Sequence, residues 1–399
     1  MAGRSALLAC EFGCAVTLTD AAAKLLASGD ADHHPAGAII GVRTAGGTDV
    51  ATSGWGSLRS GGSDRVPLAR GVRLDLASVT KVAATTVLTM LLVADGRLQL
   101  ETPAGRYLPA FRGDGKDAVT LEQLLTHTAG LQPWWPLYLE TTDRAAALER
   151  AATLPLAAAP GSEWRYSDLG LMLAGQVIEK VVGEGLADAF RRLVAVPLGL
   201  RAGYGPVPAA DAAATSDSDA YEYAMIATGI PYPVPFAPDQ FAGWRDRPLR
   251  GEVNDGNAAH ALGGVSGHAG LFATVDELLV LGSALRGGGF VPAAVLERFS
   301  RPSAVEPSQA VGFRRGTHAT AAGELTLLNH GGFTGTWFGI GIEQELVVAG
   351  GALRLLGNVG RLPVGAPREP RGLATGVEIQ AVMRQAALDA LSLTSLEAR

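Results

Sequence analysis

Strand signals sit at the two ends of this chain and helix signals fill the span between them, and that distribution limits the available folds more than any other feature. Near the start, residues 38–42 and 50–55 are apolar and β-rich runs on either side of Gly46 and Gly47, which reads as a hairpin. Residues 73–76 form a further short extended piece. Toward the end, residues 325–329, 337–342, 346–348 and 353–359 carry strand signals again. Between them, an apolar-periodic stretch at 78–94 stops at Asp95-Gly96, and shorter helices are predicted at 120–125, with Thr120 as a cap, at 144–153, at 168–182 up to Gly183, and at 275–285. Helices at 18–29 and 376–393 flank the whole. The simplest solution is a mixed α/β (α+β) fold. An antiparallel β-sheet is assembled from both ends, its N- and C-terminal helices cover one face, and a mostly helical domain is inserted. This places residues 15–80 and 262–399 in the sheet domain and 81–261 in the helical domain. Residues 203–259 lack periodicity and are rich in proline. Long irregular stretches of this kind in compact enzymes are often functional, so this region is expected to face substrate.

Bulk properties remove several classes. At 399 residues the chain is long for one core, and 47% hydrophobic against 18% charged residues is a folded, globular composition. A net charge of −6 with no basic stripe speaks against nucleic acid. The two cysteines, Cys10 and Cys14, make neither a disulfide framework nor a zinc site and fit a reducing compartment. The apolar run after Arg4 is cut short by Glu11, below the roughly 7–15 residues of a signal core. No stretch of about 18 apolar residues is evident. A cytoplasmic location without membrane association is the expectation. Asp255, Asn257, His260 and His268 match no standard metal-ligand spacing, and no phosphate loop, dinucleotide fingerprint or Gly-x-Ser-x-Gly elbow occurs, so neither metal nor cofactor is expected.

Only four lysines are present, Lys24, Lys81, Lys116 and Lys180, so a lysine inside a motif carries weight. In Ser78-Val79-Thr80-Lys81, a helix starting at Ser78 puts the hydroxyl and the ammonium on one face. A lysine shifts its pKa readily on burial and can then take a hydroxyl proton, and the helix start favours a developing alkoxide. An N-cap serine beside an exposed lysine would look the same, so the pair does not decide alone.

The surrounding boxes do. Leu74–Lys81, Leu-Asp-Leu-Ala-Ser-Val-Thr-Lys, resembles the Ser-x-x-Lys box of class C β-lactamases and the related esterases and D-peptidases. Leu124-Leu-Thr-His127-Thr-Ala-Gly-Leu131 resembles the family's Leu-Leu-Thr-His-Thr-Ser-Gly-Leu signature. Pro160-Gly161 followed by Tyr166-Ser167-Asp168 resembles its Pro-Gly…Tyr-Ser-Asn box, and His330-Gly331-Gly332 resembles its Lys/His-Thr-Gly strand. The order agrees and the likeness spans about residues 18–390. It implies Ser78 as nucleophile, Lys81 and Tyr166 as the proton-moving pair, and Ser78 and Phe333 N–H groups as the oxyanion hole. It further implies His330, Gly331 and Gly332 beside the substrate. His127 is expected to be scaffold.

Two departures stand out. Asp168 replaces the usual Asn, so it only accepts hydrogen bonds when ionised; it either holds Lys81 as a cation or caps the following helix. Gly331 lacks the hydroxyl that commonly holds a substrate carboxylate, which speaks against β-lactam recognition. Trp134 and Trp135 are candidates for one cleft wall, with Asn257 in the supporting shell. Tyr221, Tyr223, Tyr232, Phe236, Phe241 and Trp244 are candidates for specificity. The expected activity is therefore a serine hydrolase acting on a small-molecule ester, amide or acyl donor through an acyl-enzyme, most simply a cytoplasmic esterase. An acyltransferase using the same acyl-enzyme, a β-lactamase or D-peptidase, and a non-catalytic binding relative are the alternatives.

Overall fold

The computed structural model describes residues 17–30, 33–58, 64–320, 323–356, 364–365 and 373–397. Cys10, Cys14 and the apolar run after Arg4 lie outside these residues.

The platform is a seven-stranded sheet in the order Arg65–Pro67, Gly47–Leu58, Gly37–Thr44, Leu346–Ala352, Thr336–Gly341, Gly323–Gly331, Arg314–Thr320. Every neighbouring pair is antiparallel. The two ends of the chain meet at its centre, where Ile40 pairs with Gly350 and Ala38 with Ala352. The expected hairpin is present, turning through Ala45-Gly46 between the paired Thr44 and Gly47. The strand expected at 353–359 is not there. The preceding strand instead runs on through Gly350 and Gly351 to Ala352, and 353–356 turn away from the sheet, while 357–359 lie outside the described residues. Those two glycines have φ of +133° and +140°, and a Cβ on Gly350 would lie 2.0 Å from the Ile39 carbonyl oxygen, so only glycine lets these strands approach. The edge strand Arg314–Thr320 escaped the sequence reading because its polar, half-exposed residues carry no apolar alternation.

Period-two alternation sends side chains to two cores. Ala38, Ile40, Val42, Trp337 and Val348 pack under the helices Leu18–Leu26 and Gly376–Glu397. Ile39, Phe338, Ile340, Val347 and Ala349 face the helix Val275–Arg286 and the helical body beyond it. Gly282 lets that helix settle on the sheet, since a Cβ there would stand 2.4 Å from Val347 Cγ1.

The helical run Ala77–Ala94 is long and apolar enough to cross a membrane, contrary to the sequence expectation, with mean hydropathy 1.7 and 78% of it buried inside the fold. It packs against the central helix Asp168–Val182, which starts at the Ser167 cap and ends at left-handed Gly183, as its capping residues dictate. The irregular region contains one unforeseen helix, Ala220–Thr228; its N-cap Asp219 makes no side-chain capping bond, so the usual start signal is missing.

Residue 267 crosses the central helix at van der Waals limit, and a Cβ there would lie 2.0 Å from Leu171 O. Gly267→Ala is expected to destabilise the fold by roughly 1–3 kcal/mol through overpacking. Gly71→Ala, where nothing stands within 4 Å, should be near neutral. Thermal unfolding of the two variants beside wild type checks the difference.

Candidate active site

The short strand Leu74–Asp75 pairs with Leu271–Ala273 and delivers the chain into a tight turn at Ala77–Val79. Ala77 has φ +43°, a conformation L-residues rarely adopt. A widened helical segment, Lys81–Thr86, follows, and then the regular helix Val87–Ala94. Ser78 sits part-buried in the turn with Lys81 one turn on.

Lys81 is fully buried, and its Nζ reaches three acceptors: Ser78 Oγ at 2.6 Å, Asp168 Oδ1 at 2.7 Å and the His268 carbonyl at 3.2 Å. Burial pulls the Lys81 pKa down, but Asp168 and then Tyr166 outweigh it, and the net direction is upward. Asp168 is thus the counter-ion of Lys81. The helix cap is its neighbour Ser167, whose Oγ accepts the Gly170 N–H at 3.3 Å.

The Tyr166 hydroxyl lies 3.0 Å from Ser78 Oγ, and Lys81 Nζ lies 5.1 Å from the ring centroid. Burial pushes the phenol upward while Lys81 acts against it. Behind Tyr166 stands His127, ring centroids 4.6 Å apart. His127 adopts φ +58° and accepts the Ser167 N–H on Nδ1 at 3.1 Å; burial, then Lys81, hold it neutral, well below the usual range. His330 faces Tyr166 from the sheet, with centroids 6.0 Å apart. Its Nδ1 lies 2.8 Å from Gly331 O, so Nδ1 carries the hydrogen. Burial and the Lys81 charge hold its pKa at about 3, which leaves Nε2 as a bare acceptor at neutral pH.

Among the described residues, neither the Ser78 N–H nor the Phe333 N–H donates to a protein acceptor. Gly332 is needed beside them: a Cβ there would stand 2.6 Å from Leu76 O and 2.1 Å from Thr336 Oγ1. At Gly331 a Cβ would meet Gln380 Nε2 at 2.7 Å, so the terminal helix fills the space a side chain would need. Gln380 carries no sequence signal, because it lies far along the chain, in the terminal helix Gly376–Glu397.

Other candidates separate into two groups. Trp134 stacks on Tyr232 (centroids 6.5 Å, 28°), and Tyr221 meets Phe333 edge-on at 4.6 Å. Burial raises the Tyr232 phenol to about 12, and the charges of Asp168 and Tyr166 add to it, which places Tyr232 near them. Tyr223, Phe241 and Trp244 instead pack together around Tyr138, and Phe236 packs on Trp135, a structural cluster. Asn257 is fully buried; its Oδ1 accepts the Leu137 N–H at 2.8 Å and its Nδ2 donates to Trp135 O at 2.9 Å. It therefore holds the tryptophan turn from behind. Asp168, Asp255 and His268 bring ligand-type atoms within 4.8 Å of one another. Those atoms are already engaged, Asp168 by Lys81 and His268 Nε2 by Asp255 at 2.9 Å with Nδ1 on Ser266 at 2.7 Å, so the set suits an ammonium.

A nucleophile-bearing turn, a buried lysine, a tyrosine and a glycine-lined strand thus converge in the order the sequence boxes give. The family model for Beta-lactamase matches residues 22–351. The chain belongs to the beta-lactamase family. This is a family of serine hydrolases. N-acetylmuramyl-L-alanine amidase of Bacillus subtilis (strain 168) is 30% identical over 329 residues, 74% of this chain and 70% of that one. A putative D-alanyl-D-alanine carboxypeptidase of Escherichia coli (strain K12) is 28% identical over 333 residues, 75% and 72% of the two chains. Among solved structures, EstCE1, a hydrolase with promiscuous acyltransferase activity, superposes with TM-score 0.63 at 22% identity, covering 89% of this chain and 94% of that one. The D-amino acid amidase from Ochrobactrum anthropi SV3 complexed with D-phenylalanine gives 0.65 at 18%, covering 90% and 95%. A penicillin-binding protein homolog from Caulobacter crescentus gives 0.62 at 22%, covering 91% and 94%. These structures establish the beta-lactamase-type fold.

Beneath this beta-lactamase-type cleft lies an acidic layer. Glu222 accepts the Gly256 N–H at 2.9 Å; burial, then the charge of Asp255, raises its pKa far above the usual carboxyl range. A carboxyl raised on folding contributes stability at low pH that is lost as pH climbs through the raised value. The Glu222 contribution should therefore fall from about pH 5 to about pH 8, so Glu222→Gln should lose less stability than wild type, or gain more, between those pH values, as read by melting curves of both proteins across the range.

Proposed function

We propose that Ser78 is the nucleophile of a small-molecule ester or amide hydrolase, with ester cleavage as the favoured reaction. The observation that carries this reading is the double approach to Ser78 Oγ, by Lys81 Nζ at 2.6 Å and Tyr166 Oη at 3.0 Å. Lys81 and Tyr166 act as one unit that accepts a single proton: ammonium with phenolate, or equally amine with phenol. Ser78 Oγ attacks the substrate carbonyl and its proton passes to this pair. The oxyanion that forms meets the Ser78 and Phe333 N–H groups. Collapse expels the alcohol or amine, which takes the proton back, and leaves the acyl group on Ser78. Water, deprotonated by the same pair, then releases the acid. Trp134, Tyr232, Tyr221 and Phe333 offer flat apolar walls for the acyl and leaving groups.

Transfer of the acyl group to an alcohol or amine acceptor is the second reading, supported by the neighbour whose name records such a side activity. Cleavage of D-amino-acid amides or peptides is the third, supported by the likeness to the D-amino acid amidase and to the putative D-alanyl-D-alanine carboxypeptidase. Product analysis on a p-nitrophenyl ester, with and without added alcohols and amines, and on D-alanyl peptides separates the three. Ester hydrolysis that exceeds both other activities is expected; turnover of D-alanyl peptides alone would replace the first reading with the third.

Asp168 sets the charge of the pair, and the sign can be worked out. It raises the Lys81 pKa, so its removal lets the pair lose a proton at lower pH. In Asp168→Asn the acid limb of the kcat/KM pH profile should move to lower pH. An unmoved limb contradicts the role given to Asp168.

A further inference from the structure

We infer that Asp75 is the positioning residue of the oxyanion hole, fixing both of its backbone donors from a single buried point. The inference rests on the acyl-enzyme reading and assigns Asp75 no contact with substrate.

Asp75 is 3% exposed and lies between the two halves of the site. Its Oδ1 accepts the Ala77 N–H at 2.9 Å, and its Oδ2 accepts the Asn254 N–H at 2.7 Å. Its own backbone carbonyl accepts the Thr334 hydroxyl at 2.9 Å. One residue on, Leu76 O accepts the Thr336 hydroxyl, also at 2.9 Å, and Leu76 N donates to Leu271 O at 3.0 Å.

The consequence follows from chain geometry. The Ala77 N–H belongs to the peptide just before the left-handed rotation at φ +43°. An alanine held there carries strain and stays only if its neighbours over-determine it. The Asp75 carboxylate pins that peptide through a bond two residues ahead, the form that Asp side chains favour in turns. Rotation about Ala77 then aims the next peptide, whose donor is the Ser78 N–H. On the other side, the Phe333 N–H shares its peptide with the Gly332 carbonyl, which accepts the Gly335 N–H at 2.9 Å, and the Thr334 hydroxyl inside that turn ties the turn to the Asp75 carbonyl. Phe333 O is held in turn by Arg354 Nη1 at 2.9 Å. Both donors are thus referred to Asp75, one through its side chain and one through its backbone, and Asn254 anchors the other carboxylate oxygen to the substrate-facing region.

A carboxylate is costly to bury, and burial raises Asp75 to about 6, against the pull of the Ala77 and Asn254 N–H groups. An asparagine of the same shape would lack that charge. Its single oxygen could satisfy only one of the two N–H groups, and its amide nitrogen would confront the other. This distinguishes the carboxylate's role from space-filling.

The test is the pre-steady-state release of p-nitrophenol from a p-nitrophenyl ester, in wild type, Asp75→Asn and Thr334→Val. Displaced oxyanion donors cost acylation and leave ground-state binding intact. Asp75→Asn should slow acylation by about 10- to 100-fold with KM changed less than about threefold. Thr334→Val should slow it to a smaller extent, again without a rise in KM. Wild-type release with unaltered acylation in Asp75→Asn, or a loss confined to KM, overturns the inference while leaving the acyl-enzyme intact. If Asp75→Asn does not fold, Thr334→Val decides, and an unaltered acylation rate in it overturns the inference. Absence of any acylation in wild type sinks the acyl-enzyme reading, and the inference with it.

Discussion

A buried lysine ammonium organises this molecule. Lys81 has no access to water and meets three acceptors drawn from three parts of the chain: the nucleophile turn, the start of the central helix, and the loop carrying His268. Removing one partner of a buried ion pair typically costs about 3–5 kcal/mol, because the remaining charge is left uncompensated. The three segments are therefore not free to drift apart. Close backbone packing reinforces this, since Gly267 and Gly175 let the His268 loop lie directly on the helix that begins with Asp168. The reactive geometry and the stability of the helical body rest on the same charge.

A second constraint is the meeting of the chain's ends. The sheet pairs strand Gly37–Thr44 with Leu346–Ala352, so the strand that bears His330 and Gly331 and leads into Gly332 is built on a platform whose other half comes from the start of the chain. The nucleophile turn leaves the first half, and the glycine strand leaves the second. Thr334 and Thr336 bridge them through the carbonyls of Asp75 and Leu76. The cleft is thus formed along a seam whose two sides are joined by side-chain to backbone bonds, and such bonds tolerate little displacement.

Much of this was legible in the sequence, for identifiable reasons. Helices with strong boundaries were found to the residue: Arg144–Thr153 stops ahead of Pro155, and Asp168–Val182 is bracketed by Ser167 and Gly183. Ser78, Lys81 and Tyr166 can be named because local boxes surround them, and the structure brings Lys81 and Tyr166 within hydrogen-bond reach of Ser78. What local pattern could not show was pairing across long distances. Asp75 reads as an unremarkable residue before the motif, and its partners Asn254 and Thr334 lie far along the chain. Gln380 filling the space beside Gly331 is the same kind of contact. The aromatic residues of the proline-rich stretch look alike in sequence, yet Tyr232 stacks on Trp134 and Tyr221 meets Phe333 edge-on, while Phe241 and Trp244 pack on Tyr138, Tyr223 on Trp244, and Phe236 on Trp135. The ambiguity at Asp168, cap or counter-ion, needed coordinates because both roles use the same carboxylate.

The central claim is that Ser78 is the nucleophile, and covalent labelling tests it most directly. Wild type and Ser78→Ala would each be incubated with a fluorophosphonate, followed by intact mass and peptide mapping. A single adduct on wild type, located at Ser78, with none on the variant, is the predicted result. Equal labelling of both proteins, or an adduct on another side chain, would contradict the assignment of the reactive centre.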